Sequence, residues 1–210
     1  MSFIEVVQDG AVLINKADAS GVYTRNIASC IAYAFYGENW LALVHDTGQL
    51  SVPSIIDTIG RFGAVRKAYS VQNPQMERKA QTRAHRERRK RMFGGLRIKE
   101  NPIKIQTDSG DVCFTTDEEH GTNVHSFSES LSSIPDRERR LCINELNNLF
   151  SPRNAQSLPV DLQFVDGAYT SNPELLYSVK DMKRRADSEL ERGDHDYWLY
   201  LQKAHRLGIV

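Results

Sequence analysis

Two short apolar runs, separated by three residues of turn type, constrain the fold of this chain more than any other feature. Residues 30–36 read Cys-Ile-Ala-Tyr-Ala-Phe-Tyr and residues 40–44 read Trp-Leu-Ala-Leu-Val, with Gly-Glu-Asn at 37–39 between them. Both runs have the length and the aromatic and aliphatic content of buried strands, and the residues between them favour a tight reversal. The pattern predicts a β-hairpin.

This hairpin would bring a cysteine close to a histidine. If its strands fold about Glu38, Cys30 lies across from residue 46, one position from His45, and a bulge or a longer loop absorbs that offset. A thiol attacks as its thiolate, and a neighbouring imidazole can remove the proton and later return it to a leaving group. The alternative is that both side chains only pack at one end of a strand pair.

Thr24 precedes Cys30 by six residues. The hydroxyl of Thr24 could hold the imidazole through a hydrogen bond or orient a substrate. Alternatively, it satisfies a backbone group at the start of a strand.

Together these residues resemble the chemoreceptor glutamine deamidase (CheD) family. That family typically carries a threonine, then Leu-Gly-Ser-Cys, then a histidine at the end of the next strand. Here Thr24, the sequence Ile-Ala-Ser-Cys at 27–30 and His45 stand at those positions. Ala28 replaces the usual glycine, which is compatible with the motif if the position does not require a positive φ.

The following segment resembles the protein N-terminal asparagine amidohydrolases, in which a histidine-acid-glycine turn leads into an amphipathic helix. Residues 44–48 read Val-His-Asp-Thr-Gly, and a helical pattern follows at 53–62. Both families share a fold with deamidating toxins of the cytotoxic necrotizing factor type. The resemblance covers about residues 10–72. It implies an α+β fold: a layered αββ sandwich of β-hairpins backed by helices, the CheD-like deamidase fold.

The same resemblance implies a cysteine-dependent amidohydrolase that deamidates glutamine, or asparagine, in a protein substrate through a thioester, without a cofactor. Cys30 would be the nucleophile, His45 the general base and acid, and Thr24 an orienting group. The backbone N–H groups of Ser29 and Cys30 would bind the oxyanion. Transglutaminases and cysteine proteases use the same thiol chemistry and stay as alternatives. The segments beyond the resemblance favour a toxin- or effector-like enzyme over a chemoreceptor deamidase.

Composition narrows the class of protein. Hydrophobic residues make up 40% and charged residues 26%, and the formal net charge is +0, so the overall balance favours neither nucleic acid nor membrane. The three cysteines lack metal-ligand spacing and are too few for a disulfide framework, and the histidines form no HExxH pair. We therefore expect no metal site.

Segments that would direct the chain to a membrane are also missing from the sequence. No apolar run reaches about 18 residues, and the first residues lack the pattern of a signal peptide. We expect the protein to act in the cytoplasm. A route into another cell that uses no cleaved signal peptide stays open.

Periodicity and turn residues predict further elements along the chain. They are strands at 2–8 and 11–16 closed by Asp9-Gly10, a helix at 53–62 capped by Ser51, a strand at 64–72, a hairpin of 103–107 with 112–116, and a strand at 158–168. We expect one domain over residues 1–210, with a basic helical insertion at about 74–95 and helical additions at about 136–210.

Residues 76–92 are strongly basic, and their few apolar positions predict a helix that stands in solvent. Such a segment can also dock an acidic partner by electrostatic attraction. The candidate docking residues are Arg86, Arg88, Arg89, Lys90 and Arg91. The rival to the enzyme is therefore a non-catalytic binding module that uses this segment, with a Cys30 thiol that is not activated.

Overall fold

The computed structural model describes residues 3–6, 9–25, 27–28, 30–48, 50–75, 79–99, 102–122, 160–165 and 167–171. These residues lie within one compact unit. Their helices are α1 (Val52–Gly60) and α2 (Lys79–Gly95). Their strands are β1 (Phe3–Val6), β2 (Ala11–Asn15), β3 (Gly21–Thr24), β4 (Ile31–Tyr36), β5 (Trp40–Asp46), β6 (Lys67–Gln72), β7 (Ile103–Gln106), β8 (Val112–Thr115), β9 (His120–Gly121), β10 (Gln163–Val165) and β11 (Ala168–Ser171).

The strands form two sheets. The larger sheet has the order β10-β11-β2-β5-β4-β6-β7, and the smaller sheet has the order β1-β3-β8-β9. The predicted hairpin is confirmed as β4 and β5, which lie inside the larger sheet and are buried along their whole length. Strands covered on both faces need nearly continuous apolar sequence, which explains the two runs.

The turn of this hairpin depends on a glycine. The backbone N–H of Gly37 donates to the carbonyl of Trp40 at 3.0 Å. A Cβ at position 37 would lie 2.1 Å from the Trp40 indole, so only glycine lets the ring cover the turn. The reversal is thus specified by both residues.

Alternate side chains of the larger sheet enter two different cores. The face that carries Tyr33 and Phe35 packs against α1 and α2. The face that carries Ala32 and Ala34 packs against the smaller sheet. Helices, larger sheet and smaller sheet therefore form successive layers of an α+β fold.

The helix predicted at 53–62 is confirmed as α1. The hydroxyl of Ser51 caps it by accepting the backbone N–H of Ser54 at 3.3 Å. Pro53 stands in the first turn, where its missing N–H is not needed. Ile55 and Ile59 are fully buried against the larger sheet.

Two other predicted hairpins are wrong. β1 pairs in parallel with β3 in the smaller sheet, whereas β2 pairs with β5 and β11 in the larger sheet. Likewise β7 pairs in parallel with β6, whereas β8 pairs with β3. The turns at Asp9-Gly10 and at 108–111 carry the chain from one sheet to the other. Turn residues specify a reversal, but burial decides which sheet receives each strand.

The basic helix exists, but it does not stand in solvent. α2 is the crossover between the parallel strands β6 and β7, a connection that parallel pairing requires. Met92 and Phe93 near its C-terminal end, and Leu96 just beyond it, are buried in the core between the helices and the larger sheet. Periodicity missed this because the apolar residues cluster at one end of the segment.

The strand predicted at 158–168 is a hairpin of β10 and β11, which joins the larger sheet through β2. The helical additions predicted at about 136–210 otherwise fall outside the described residues, and the single domain stays a prediction. Within the described part of the chain, no helix has the length and apolar character needed to cross a membrane.

Candidate active site

The register of β4 and β5 places Cys30 and His45 on the same face of the larger sheet. Ala32 pairs with His45, and Ile31 pairs with Asp46. The predicted register was therefore wrong by one residue, and no bulge is required. Cys30 directly precedes β4, so continued alternation makes it the diagonal neighbour of His45. Cys30 is 4% exposed and His45 is 0% exposed.

Thr24 contacts the imidazole from the other sheet. Its Oγ1 lies 2.7 Å from Nδ1 of His45, and the same hydroxyl donates to the carbonyl oxygen of Val6 at 2.6 Å. Because a threonine hydroxyl has one hydrogen, it must accept the hydrogen bond from Nδ1–H. The contact therefore assigns the tautomer of His45 and leaves Nε2 with a lone pair.

The burial of His45 keeps it neutral. Removal from water lowers the pKa of this imidazole from 6.5 to about 4. Its Nε2 accepts no hydrogen bond from any described residue, the Cys30 thiol included. A neutral imidazole with an unused lone pair, on the face shared with a thiol, can accept a proton there.

Backbone contacts hold β5 and the loop that leads to Cys30. The N–H of His45 donates to the carbonyl of Gly10 at 3.0 Å, and the N–H of Ile27 donates to the carbonyl of Gly110 at 2.7 Å. Ala28 is not among the residues with positive φ, so the alanine fits the motif. Ser29 lies outside the described residues, and its role as an oxyanion donor stays a prediction.

On the opposite face of β5, an ion pair follows the histidine. Asp46 is 1% exposed and accepts from Nε and Nη2 of Arg88 at 3.0 and 2.8 Å. Arg88 Nη2 also donates to the carbonyl of Leu50 at 2.6 Å, and Asp46 accepts the N–H of Gly48 at 2.8 Å. The pair thus joins α2 to the turn that follows His45.

A second buried carboxyl lies on the other side of this turn. Asp9 accepts the N–H of Thr47 at 3.0 Å and its hydroxyl at 2.8 Å. Burial raises the pKa of Asp9 from 3.8 to about 6, although both hydrogen bonds from Thr47 act to lower it. The turn after His45 is therefore held by two acidic side chains.

Sequence reasoning missed these carboxyl contacts. Asp9-Gly10 has the composition of an ordinary tight turn, and Asp46 could have been noticed only as the acid of the histidine-acid-glycine turn. Nothing local distinguishes Arg88 from the other arginines of α2.

The predicted docking residues are not equivalent. Arg86, Lys90 and Arg91 are exposed, so their docking role stays a prediction. Arg89 is half-buried, with Nη1 3.4 Å from the hydroxyl of Ser70. The assignment of Arg88 needs correction, because its guanidinium is engaged with Asp46 inside the fold.

The other described cysteine has a packing role. Cys113 is fully buried beside Tyr23, and burial raises the pKa of its thiol to about 12. Cys142 lies outside the described residues. Among those that are described, no group of three His, Cys, Asp or Glu side chains could hold a metal ion.

No protein-family model matches this chain, and no curated protein matches it either. The CheD-like resemblance therefore stays an inference from Thr24, Cys30 and His45. The chemistry assigned to the site rests on their geometry.

Proposed function

We propose that this chain is a cysteine-dependent amidohydrolase that converts glutamine, or asparagine, side chains of a protein substrate to the acid. The observation that carries the proposal is the contact of Thr24 with His45, at 2.7 Å between Oγ1 and Nδ1. It fixes the tautomer that a general base needs, on the face of the sheet that Cys30 shares. A histidine with only a packing role would also need a partner for Nε2, and none of the described residues provides one.

In the first half of the reaction, Nε2 of His45 takes the proton of the Cys30 thiol as the sulfur bonds to the carboxamide carbon. The carbonyl oxygen becomes an oxyanion, and backbone N–H groups at Ser29 and Cys30 are the proposed donors to it. The carbon–nitrogen bond then breaks, and the nitrogen takes the proton from His45. Ammonia leaves and a thioester remains.

In the second half, water adds to the thioester carbon and gives a proton to Nε2 of His45. The carbon–sulfur bond breaks, and that proton returns to the sulfur. The net change is addition of water and loss of ammonia. The side chains of Cys30 and His45 carry out these bond changes and proton transfers, with Thr24 holding the imidazole and the backbone N–H groups binding the oxyanion.

Nε2 of His45 makes no hydrogen bond to the Cys30 thiol in the described part of the chain. Catalytic hydrogen bonds of this kind often tighten only when substrate binds. Because His45 is already neutral at pH 7, no proton has to leave it before it can act as a base. Cys30 is 4% exposed. A substrate therefore reaches it only if the groups that cover it move aside.

The first experiment compares thiol labelling with deamidation. Iodoacetamide modification is followed from pH 5 to 9 by mass spectrometry, alongside ammonia release from a glutamine-containing protein mixture. We expect Cys30→Ala to abolish release and His45→Ala to lower it about a hundredfold or more. Cys113→Ala is the matched control, since it removes a buried thiol outside the site. Release that persists in Cys30→Ala would refute the mechanism.

Substitution of Thr24 tests whether its contact with His45 matters for the reaction. Thr24→Val removes the acceptor of Nδ1–H, and a misoriented base lowers the rate by up to about a hundredfold. Thr24→Ser keeps the hydroxyl, so we expect it to retain most of the activity. Equal rates in both variants would show that the hydroxyl does not position His45.

A second candidate function is docking of an acidic partner, since Arg86, Lys90 and Arg91 are exposed on α2 and form no ion pair with any described residue. Replacing all three with glutamine should weaken binding to heparin and reduce its salt dependence. Loss of docking with unchanged deamidation would separate the two functions.

A further inference from the structure

An open cavity of about 730 Å³ lies where the C-terminal ends of α1 and α2 meet the segment that leads into β6. None of its lining residues belongs to the candidate active site, and the proposed reaction does not use it. Its volume is within the range of about 300 to 1,000 Å³ typical of small-molecule sites. Its described lining consists of Ile56, Gly60, Gly63, Ala64, Val65, Arg66, Gly95, Leu96, Arg97 and Lys99.

Glycines shape the cavity. A Cβ at Gly60 or Gly63 would meet no heavy atom within 4 Å, so the missing side chains leave open space. At Gly95 the reverse holds, because a Cβ there would lie 2.3 Å from Cδ1 of Ile56. Gly95 therefore lets the two helices approach closely, while the other two leave the space beside them unfilled.

The charged groups of the cavity are all positive. Arg66, Arg97 and Lys99 line it, and no acidic residue is among its described lining. Their side chains form no ion pair or hydrogen bond with the described residues. Three unneutralised cations around one concavity attract an anion.

Arg97 occupies a backbone conformation that disfavours it. Its φ is 54°, in the left-handed region just beyond α2 where helices commonly carry glycine. Its N–H donates to the carbonyl of Gly94 at 3.1 Å, so the turn itself would form equally well with glycine. An arginine in this strained position points to a use for its guanidinium.

We propose that this cavity binds an amphipathic anion, a carboxylate or phosphate on a short aliphatic chain. The three cations would hold the head, and Ile56, Val65 and Leu96 would cover the chain. The described lining offers no aromatic ring and no neutral polar side chain. A sugar or nucleobase would therefore lose hydrogen bonds to water without replacement, whereas an aliphatic chain would not.

The test is calorimetric titration of the whole chain with octanoate and octyl phosphate, compared with acetate, inorganic phosphate and 1-octanol. We expect the two amphipathic anions to bind at least about tenfold more tightly than the other three, because only they satisfy both parts of the cavity. Binding does not involve Cys30, so this result is independent of deamidation. Equal affinity for acetate and octanoate would overturn the proposal.

Two glycines at comparable helical positions distinguish an effect on the cavity from an effect on the helices. Gly60 and Gly94 are both helical positions where a Cβ meets nothing within 4 Å, but only Gly60 lines the cavity. We expect Gly60→Leu to abolish octanoate binding and Gly94→Leu to preserve it. The same loss in both variants, or in neither, would contradict the site.

Arg97→Gly separates ligand binding from stability. Glycine relieves the left-handed backbone, so the unfolding midpoint should stay the same or rise while octanoate affinity falls about tenfold. Lys90→Gln removes an exposed cation outside the cavity and should leave affinity unchanged. A lower midpoint with unchanged affinity in Arg97→Gly would make the arginine structural and overturn its assignment.

The source of the anion is tested with vesicles. Binding of soluble octyl phosphate but not of phosphatidylglycerol vesicles supports a free ligand. Binding of both, with phosphatidylcholine vesicles inactive, supports the same cavity acting on an anionic lipid. Vesicle binding that survives Gly60→Leu would assign lipid attraction to other surface cations and contradict this role for the cavity.

Discussion

His45 and Asp46 are neighbours on β5, yet the fold treats their polar side chains in opposite ways. His45 faces the smaller sheet, where burial keeps it neutral and Thr24 supplies one hydrogen bond. Asp46 faces the helices, where it is nearly as buried but has Arg88 beside it. One face of the strand holds a neutral base and the other holds an ion pair.

The difference shows how a sheet can place a neutral imidazole and an ion pair on two adjacent residues. An imidazole whose Nε2 lacks a partner is available for proton transfer. A carboxylate that accepts from a guanidinium and from the N–H of Gly48 has its lone pairs occupied and holds the following turn in place. The ion pair thus supports the base without touching it.

The largest effect should come from breaking the ion pair on one side. Arg88→Met leaves the carboxylate of Asp46 buried without its cation, which should destabilise the fold by about 3 to 5 kcal/mol. Denaturant unfolding measures this change. The matched control is Arg91→Met, an exposed residue of the same helix, for which we expect less than about 0.5 kcal/mol. Equal effects would mean that Asp46 finds other partners.

The neutral, buried His45 should make the stability of the fold sensitive to acid. Below pH 6.5 an unfolded histidine gains a proton, but folded His45 does not until about pH 4. Stability from this residue is therefore complete above pH 6.5 and declines by roughly 3 kcal/mol as pH falls to 4. In His45→Asn this decline should be absent from the unfolding curves. An unchanged pH profile would indicate that the imidazole is hydrated.

Asp9 should act with the opposite sign. Its folded pKa of about 6 exceeds the ordinary value of 3.8, so the folded carboxyl keeps its proton longer than the unfolded one. The contribution of Asp9 to the stability of the fold is therefore lowest above pH 6. Relative to wild type, Asp9→Asn should gain roughly 3 kcal/mol between pH 4 and pH 7. A pH-independent difference in unfolding free energy would contradict this assignment.

The smallest effect distinguishes two tyrosines on the opposite faces of β4. The hydroxyl of Tyr33, on the helix side, is buried without a hydrogen-bond partner among the described residues. Tyr36 donates to the carbonyl of Thr115 at 2.9 Å on the other side. Tyr33→Phe should be neutral or stabilise by up to about 1 kcal/mol, whereas Tyr36→Phe should destabilise by about 1 kcal/mol. Equal losses would reveal a partner for Tyr33.

Local sequence was sufficient to predict an element whose pattern and turn or capping residues lie within one short segment. The apolar runs and Gly37 predict the central hairpin, and Ser51 with Pro53 predicts the start of α1. These elements depend on contacts between near neighbours, so their patterns are visible in a short window. Even there, the register was wrong by one residue, because turn composition does not determine how many residues the loop contains.

Pairing between distant segments was not predictable in this way. The turns at Asp9-Gly10 and at 108–111 both suggested hairpins, but each links strands of different sheets. The same limit applies to the site: Cys30 and His45 share one hairpin, whereas the pairing of Asp46 with Arg88 depends on how α2 crosses the larger sheet. Such contacts arise from the packed layers, which no local pattern encodes.

The hydrogen bond between Thr24 and His45 also makes the site a product of assembly. Each residue belongs to a different sheet, so a partly folded chain could form the β4–β5 hairpin and still lack control of the imidazole tautomer. Compact states of this kind retain secondary structure but lose fixed side-chain packing. Control of the tautomer therefore requires that the two sheets dock, and loosening of their interface would remove it while leaving the hairpin formed.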